Sequence, residues 1–304
     1  MRLSIFLFAS TCIFAAVIVA WPMAQQEQED VRGAFLTSRP KEKPDNPPAG
    51  TRSSRRRPKT ATPSPTPKNT PGPTNSNRKT KAPPLGETKP ERINTGRIGL
   101  GLTLFTRDSN GLAVRVDPTH TFHKGDRVRV LLETNGDGYL YIFNTTDGGQ
   151  PVMLYPSPEL DEAGNYIQAH VPFEIPSSLA AQERLRWFVF DEHGGNERLY
   201  FVFSREPLAG VPLEDDLITY CRDAKPPCPW QPAAAVWSQI RMKMDQPLQI
   251  DKAQRYDKAQ TDTEHQATTR GIGLAKDDPQ PSLIMMAASS NTSMLVTTLD
   301  LIHE

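Results

Sequence analysis

Arg127-Val-Arg-Val-Leu-Leu-Glu-Thr134, followed by Asn135-Gly-Asp137 and then Gly138-Tyr-Leu-Tyr-Ile-Phe-Asn144, is the stretch whose reading decides the fold. In the first run Val128, Val130 and Leu132 share one face while Arg127, Arg129 and Glu133 share the other, the period of two that a β-strand imposes. The pattern predicts a strand with one face on a core and one face wet. The second run is apolar on both faces, as is Leu199-Tyr-Phe-Val-Phe203, so both are expected as central strands with both faces covered. Asn135-Gly136-Asp137-Gly138 predicts a hairpin turn, because Asn and Gly accept the positive φ such turns require.

Outward from this pair, further short runs of strand character are separated by Gly, Asn and Asp turns. They cover Ile98 to Phe105, Leu112 to Val116, Val152 to Tyr155, His170 to Ile175, Leu185 to Asp191, Arg198 to Ser204, Gly271 to Ala275, Leu283 to Ala287 and Leu295 to Ile302. So many short strands predict an all-β fold, an antiparallel β-sandwich or jelly-roll-like domain over residues 92–304. A helical insertion is expected at about 210–266, where Leu213 to Tyr220 can make two turns. Ala233, Val236, Trp237, Ile240 and Met244 then recur at helical spacing after Pro232.

The chain ahead of this domain reads differently. With 29 Pro, 19 Gly and 37% hydrophobic residues, 304 residues are too lean to be packed from end to end. Arg2 followed by the apolar run Leu3 to Ala20 has the order of a secretory signal peptide, with cleavage expected after Ala24 or Ala20. An uncleaved membrane anchor is the alternative, since the run is close to bilayer-spanning length. Either version places the rest of the chain outside the cytoplasm, whether periplasmic, on the cell surface or secreted. Residues 25–91 are expected as a disordered linker: Thr60 to Pro73 is a Pro/Thr/Ser tract, and between Asp45 and Glu87 every charge is basic, including Arg55, Arg56 and Arg57. Cys221 and Cys228 lie close together in an exported chain and are expected as a disulfide contributing ~2.5 kcal/mol by loop-entropy arithmetic, against two thiols or a redox pair.

The domain's motifs resemble the bacterial family called domain of unknown function 4384. The likeness rests on Phe122-His-Lys-Gly-Asp-Arg-Val128, Asp137 to Asn144, Leu154-Tyr-Pro-Ser-Pro-Glu159, Phe188 to Glu192, Glu197-Arg-Leu-Tyr200, Ser204-Arg-Glu-Pro-Leu208, Thr269-Arg-Gly-Ile-Gly-Leu274 and Leu301-Ile-His303, running from Gly96 to the C-terminus. Gly194-Gly195-Asn196 replaces the Pro-Gly-Thr usual before the Glu. The resemblance implies an accessory sensing or binding role, because members are often joined to effector domains. The motif positions Gly125, Asp126, Asp137, Gly138, Tyr139, Tyr141, Phe143, Pro156, Glu197, Arg205, Pro207, Arg270 and Gly271 read as structural. Gly125 and Gly138 would serve turn geometry, Asp126 and Asp137 caps and Asx-turns, and the aromatics packing.

Catalytic signatures are thin. The chain has no Gly-x-Ser-x-Gly elbow, no Gly-Lys-Ser/Thr phosphate loop and no His-Glu-x-x-His. His120 and His123 would face opposite ways on a strand, and the acid-rich turns at Asp108, Asp137, Asp147, Asp161 and Asp191 match no twelve-residue calcium loop. No cofactor and no metal is expected. Nucleic acid is disfavoured, since the basic residues sit in the linker and the signal removes the chain from it. The expectation is a non-enzymatic domain recognising an envelope protein or glycan, through exposed aromatics at Tyr155, Tyr166 and Trp187, with membrane contact only if the leader is an uncleaved anchor. The alternatives are a spacer held to anionic polymers by its basic linker and a hydrolase without a recognisable motif.

Overall fold

Alternation along the strand runs builds two sheets that face each other across one apolar core. The computed structural model describes residues 31–41, 97–160, 164–223, 228–289 and 291–304; the expected leader and most of the expected linker lie outside them. Along the chain come β1 (Gly99–Arg107), β2 (Ala113–Arg115), β3 (Thr121–Phe122), β4 (Arg127–Thr134), β5 (Gly138–Thr146), β6 (Val152–Tyr155), β7 (Tyr166–Ile167), β8 (Phe173–Ile175), β9 (Phe188–Val189) and β10 (Gly195–Ser204). Then follow β11 (Leu248–Lys252), β12 (Ile284–Ala288) and β13 (Met294–His303). The first sheet has the order β11-β12-β1-β4-β8, with β2 also on β1 and β9 on β4; the second has β3-β13-β10-β5-β6, with β7 also on β5. All pairings are antiparallel except that of β3 with β13.

Between the sheets, Leu100, Leu102, Val130 and Leu132 of the first meet Leu140, Ile142, Phe201 and Phe203 of the second, all at most 2% exposed. Each of these side chains contributes about 1.5–3 kcal/mol by burial, so this layer is the main source of stability. The outer face of the second sheet is covered by α2 (Glu214–Asp223) and α3 (Ala234–Met244), where Tyr141, Phe143, Tyr200 and Val202 pack with Leu217, Trp230, Trp237 and Ile240. β5 and β10 are therefore central and covered on both faces. The expected helical insertion is broken by a strand, since β11 lies between α3 and α4 (Asp262–Arg270) and pairs with β12. Cys221, in α2, and Cys228 form a disulfide with Cα atoms 5.2 Å apart.

Four expectations are corrected. Asn135 to Gly138 is not a hairpin turn, because β4 belongs to one sheet and β5 to the other; it is the corner between them. Gly138 is needed for space rather than for φ: a Cβ there would lie 2.5 Å from the Ser204 carbonyl oxygen and 2.7 Å from the Phe203 ring. Gly125, by contrast, does take the positive φ expected of it, at 90°. Second, Gly271 to Ala275 is not a strand: Thr261 opens α4 with a capping box, and Gly271 closes it at φ 62° in the left-handed region. Third, the face of β4 expected to be wet is buried, with Arg129 5% and Glu133 0% exposed.

The fourth correction explains the burial of Glu133. Residues 31–41, expected within a disordered linker, begin as a helical turn, α1 (31–36), and lie as a strap across the outer face of the first sheet. Val31 and Phe35, four residues apart on one helical face, are fully buried against Met285 and Ala287. This apolar pair is too short to raise a periodic signal beside so much proline. The strap and the chain re-entering at Arg97 meet at Asn135, whose amide donates to the carbonyls of Ala34 (3.4 Å) and Arg97 (3.1 Å) and accepts from Gly99 N–H (2.7 Å). The domain thus takes in chain from both sides of residues 42–96.

Candidate ligand cleft and the buried polar face

Covering the outer face of β4 forces its polar side chains to find partners, because an unpaired buried charge costs several kcal/mol. Glu133 receives Arg39 Nε (3.3 Å to Oε1) and Nη2 (3.0 and 3.1 Å to the two oxygens), and Gln280 Nε2 donates to its Oε2 at 2.8 Å. His170 Nδ1 lies 3.1 Å from Glu133 Oε1, and its Nε2 lies 2.9 Å from Ser38 Oγ. Further along the face, Arg129 pairs with Glu174 at 3.3 Å and stacks 3.9 Å from the centroid of the Trp187 ring, while Arg115 pairs with Glu264 of α4. Burial lowers the Arg129 pKa below the ordinary arginine range, with Glu174 opposing that shift.

Ser38, His170 and Glu133 have the connectivity of a nucleophile, a base and an orienting acid. The surroundings give the row a structural task. Ser38 Oγ also lies 2.8 Å from the carbonyl of Ala34 and 3.0 Å from that of Phe35, the back-bonding of a serine at a helix end. The charge of Glu133 is matched by Arg39 rather than left to steady an imidazolium. Ser38 is also absent from the lining of the large cleft described next. The row joins strap to sheet.

That cleft opens beside the strap. It has a volume of about 520 Å³, between α1, the end of β11 and the chain entering β12. Leu36, Leu283 and Met285 supply the apolar part of its lining; Arg32, Lys252 and Arg255 supply three cations and Asp251 one acid. Asp251 is 1% exposed and, among the described residues, its carboxylate is held by one bond, from Arg32 Nε to Oδ2 at 2.5 Å. Its Oδ1 and the Ser282 hydroxyl are buried without a hydrogen-bond partner among the described residues. A buried acceptor left without a donor costs about 1–3 kcal/mol, so the Asp251 carboxylate is under-satisfied in the cleft wall. No signal in the sequence marked this site, because its residues come from three segments joined only by folding.

The three aromatics expected to be exposed are not. Tyr155 is fully buried in the inter-sheet core, because a bulge opposite Ile142 and Phe143 turns it to the face opposite Met153. Its hydroxyl donates to the Gly164 carbonyl at 3.3 Å. Trp187 is 8% exposed, sandwiched between Arg129 and the Phe105–Leu131 cluster. Tyr166 is half-buried, edge-on to Tyr139 with ring centroids 5.4 Å apart. The three lie apart from the cleft lining.

Motif residues hold the scaffold. Asp126 accepts from His123 N–H at 2.9 Å, Asp137 from Ala169 N–H at 2.8 Å, and the Tyr141 hydroxyl from Leu208 N–H at 2.9 Å. Glu197 accepts from Asn144 Nδ2 at 2.6 Å, and Arg205 N–H donates to the Ser293 carbonyl at 2.9 Å. Pro156 follows a cis peptide bond, Pro207 lies in the chain leaving β10, and Arg270 ends α4. The acid-rich tips have the same character: Asp108 accepts from the Asn110 and Leu112 N–H groups and Asp191 from that of His193, whose bond lowers the Asp191 pKa.

Comparison with known proteins covers part of this domain. Residues 121–207 match the family described as domain of unknown function (DUF4384). The match spans β3 to the end of β10 and contains Gly125 through Pro207 of the motif set. All the residues lining the cleft fall outside it. Neither the curated proteins nor the solved structures contain a match to the chain.

Proposed function

We propose that the chain is an exported, non-catalytic recognition module that binds an envelope component in the cleft between strap and first sheet. The observation that carries this reading is an open cleft with a cationic rim whose wall holds Asp251, a buried carboxylate with one oxygen, Oδ1, unpartnered among the described residues. The family match covers β3 to β10, which is part of both sheets, and the cleft is lined by segments outside it, an arrangement in which the ligand site varies apart from the matched motifs. Export is supported by the order of Arg2 and the apolar run, and a disulfide between Cys221 and Cys228 is consistent with an oxidising compartment.

The test is capture. Full-length chain expressed in its source cell, cross-linked in place and recovered from the extracytoplasmic fraction, is expected to bring down one dominant envelope component. Arg255→Gln protein is expected to bring down far less. Recovery of the chain in the cytosol, or equal capture by both proteins, rejects the reading.

A further inference from the structure

The chemistry of the cleft says more than that something binds there, and the following rests on the recognition reading above. Arg32 spends only its Nε on Asp251, so its two Nη groups have no partner among the described residues, and its side chain is 54% exposed. Arg255 gives one bond, from Nη2 to the Gln280 carbonyl at 3.0 Å, and is otherwise exposed. Lys252 is exposed beside them. The single acid of the lining is already occupied by Arg32, which leaves the rim net cationic and suited to an anion that accepts from a guanidinium fork.

Two further features narrow the anion. Leu36, Leu283 and Met285 offer contact to an aliphatic group, and the lining has no aromatic platform. Asp251 Oδ1, an acceptor-only atom with no partner among the described residues, calls for a hydrogen-bond donor close to the anion. We infer that the cleft binds an N-acylated α-carboxylate with an apolar side chain, the chemistry of a polypeptide C-terminus or of a free N-acyl amino acid. The carboxylate sits on Arg255, Lys252 and the free Nη groups of Arg32, the side chain lies on the aliphatic residues, and the amide N–H takes Asp251 Oδ1 while Arg32 Nε stays on Oδ2. A carboxylate, a neighbouring N–H and an apolar side chain on one carbon match the three features in one small group.

Isothermal titration of the full chain with N-acetyl-leucine, N-acetyl-leucinamide, 4-methylpentanoate and digalacturonate separates the contributions. N-acetyl-leucine is expected to bind at least about tenfold more tightly than its amide, which lacks the anion, and severalfold more tightly than 4-methylpentanoate, which lacks the N–H. Arg255→Gln is expected to remove about a tenfold preference for acid over amide while leaving the melting temperature unchanged, and Arg255→Lys to restore part of it. An N-acetylated tripeptide ending in Leu that binds better than N-acetyl-leucine assigns a protein C-terminus; equal binding assigns the free acid. Equal affinity for acid and amide, or preference for digalacturonate, overturns the inference. If the acid fails while Arg255→Gln still lowers envelope capture, the ligand class alone falls; if capture is also unchanged, the recognition reading falls with it.

Discussion

Arg39 and Glu133, 94 positions apart in the chain, form an ion pair in which both side chains are fully buried. The pair has no access to water, so its worth depends on every lone pair and proton being met, and Gln280 and His170 complete that shell. Removing one partner is a harsher change than removing both. Arg39→Met is expected to destabilise the full chain by about 3 kcal/mol, because Glu133 is left charged and under-compensated, while Arg39→Met with Glu133→Leu recovers most of that loss. Urea denaturation of the three proteins checks it; a double variant no more stable than the single one counts against the account.

The Arg39 pair, with Val31 and Phe35, makes the strap part of the domain rather than a lead-in to it. With a protease site engineered between Lys68 and Arg78, cleavage is expected to leave the strap-bearing fragment on the domain through native gel filtration. It should come off only in denaturant. Phe35→Asp places a charge against Met285 and Ala287 and is expected to release the cut fragment under native conditions. Separation of the wild-type fragments without denaturant contradicts the docked strap.

These features mark where the sequence was legible. β4 follows from its period-two alternation, and β5, β6 and β10 from short apolar runs bounded by turn residues; the structure has those strands at those places. The pairing of β4 with β5 was misread because a corner between sheets and a hairpin both need Asn and Gly; only the sheet order separates them. Arg129 and Glu133 looked solvent-facing because charge on a strand face normally means water, and nothing local announces that Arg39 and Glu174 will cover them. The cleft was illegible for the same reason: Arg32, Asp251 and Ser282 meet only through the long-range placement of the strap.

Tyr155 and Trp187 give a direct test of the corrected site. Both serve packing, so their loss should be felt in stability and not in recognition. Tyr155→Ala is expected to cost about 3–5 kcal/mol, the range for a large core aromatic. Trp187→Leu, which keeps apolar bulk but loses the Arg129 stack, is expected to cost less, about 1–2 kcal/mol, and to leave N-acetyl-leucine binding unchanged. A folded Trp187→Leu protein that fails to bind the probe places the site where the exposed-aromatic expectation put it.

Tyr141 ties stability to alkaline pH. Burial raises its hydroxyl above the ordinary tyrosine value of 10.0, while the Leu208 N–H that it accepts pulls the other way. The sign follows from linkage: the unfolded chain releases this proton near its ordinary pKa and the folded chain holds it, so the unfolded state gains free energy as pH rises past that value. Stability from the neutral hydroxyl is therefore complete below about pH 10 and is lost progressively above it. Tyr141→Phe removes the titrating group and leaves Leu208 N–H without its acceptor, so the variant is expected to be less stable than wild type by about 1–2 kcal/mol at neutral pH. Its melting temperature should then fall less steeply above about pH 10, and the two curves should converge as pH rises past that value. Tyr256, whose pKa burial also raises, contributes its alkaline slope to both proteins and cancels in the difference. Melting curves that stay parallel above about pH 10 mean that the Tyr141 hydroxyl ionises as freely in the folded chain as in the unfolded one, and that the layer between the second sheet and its two helices is wet.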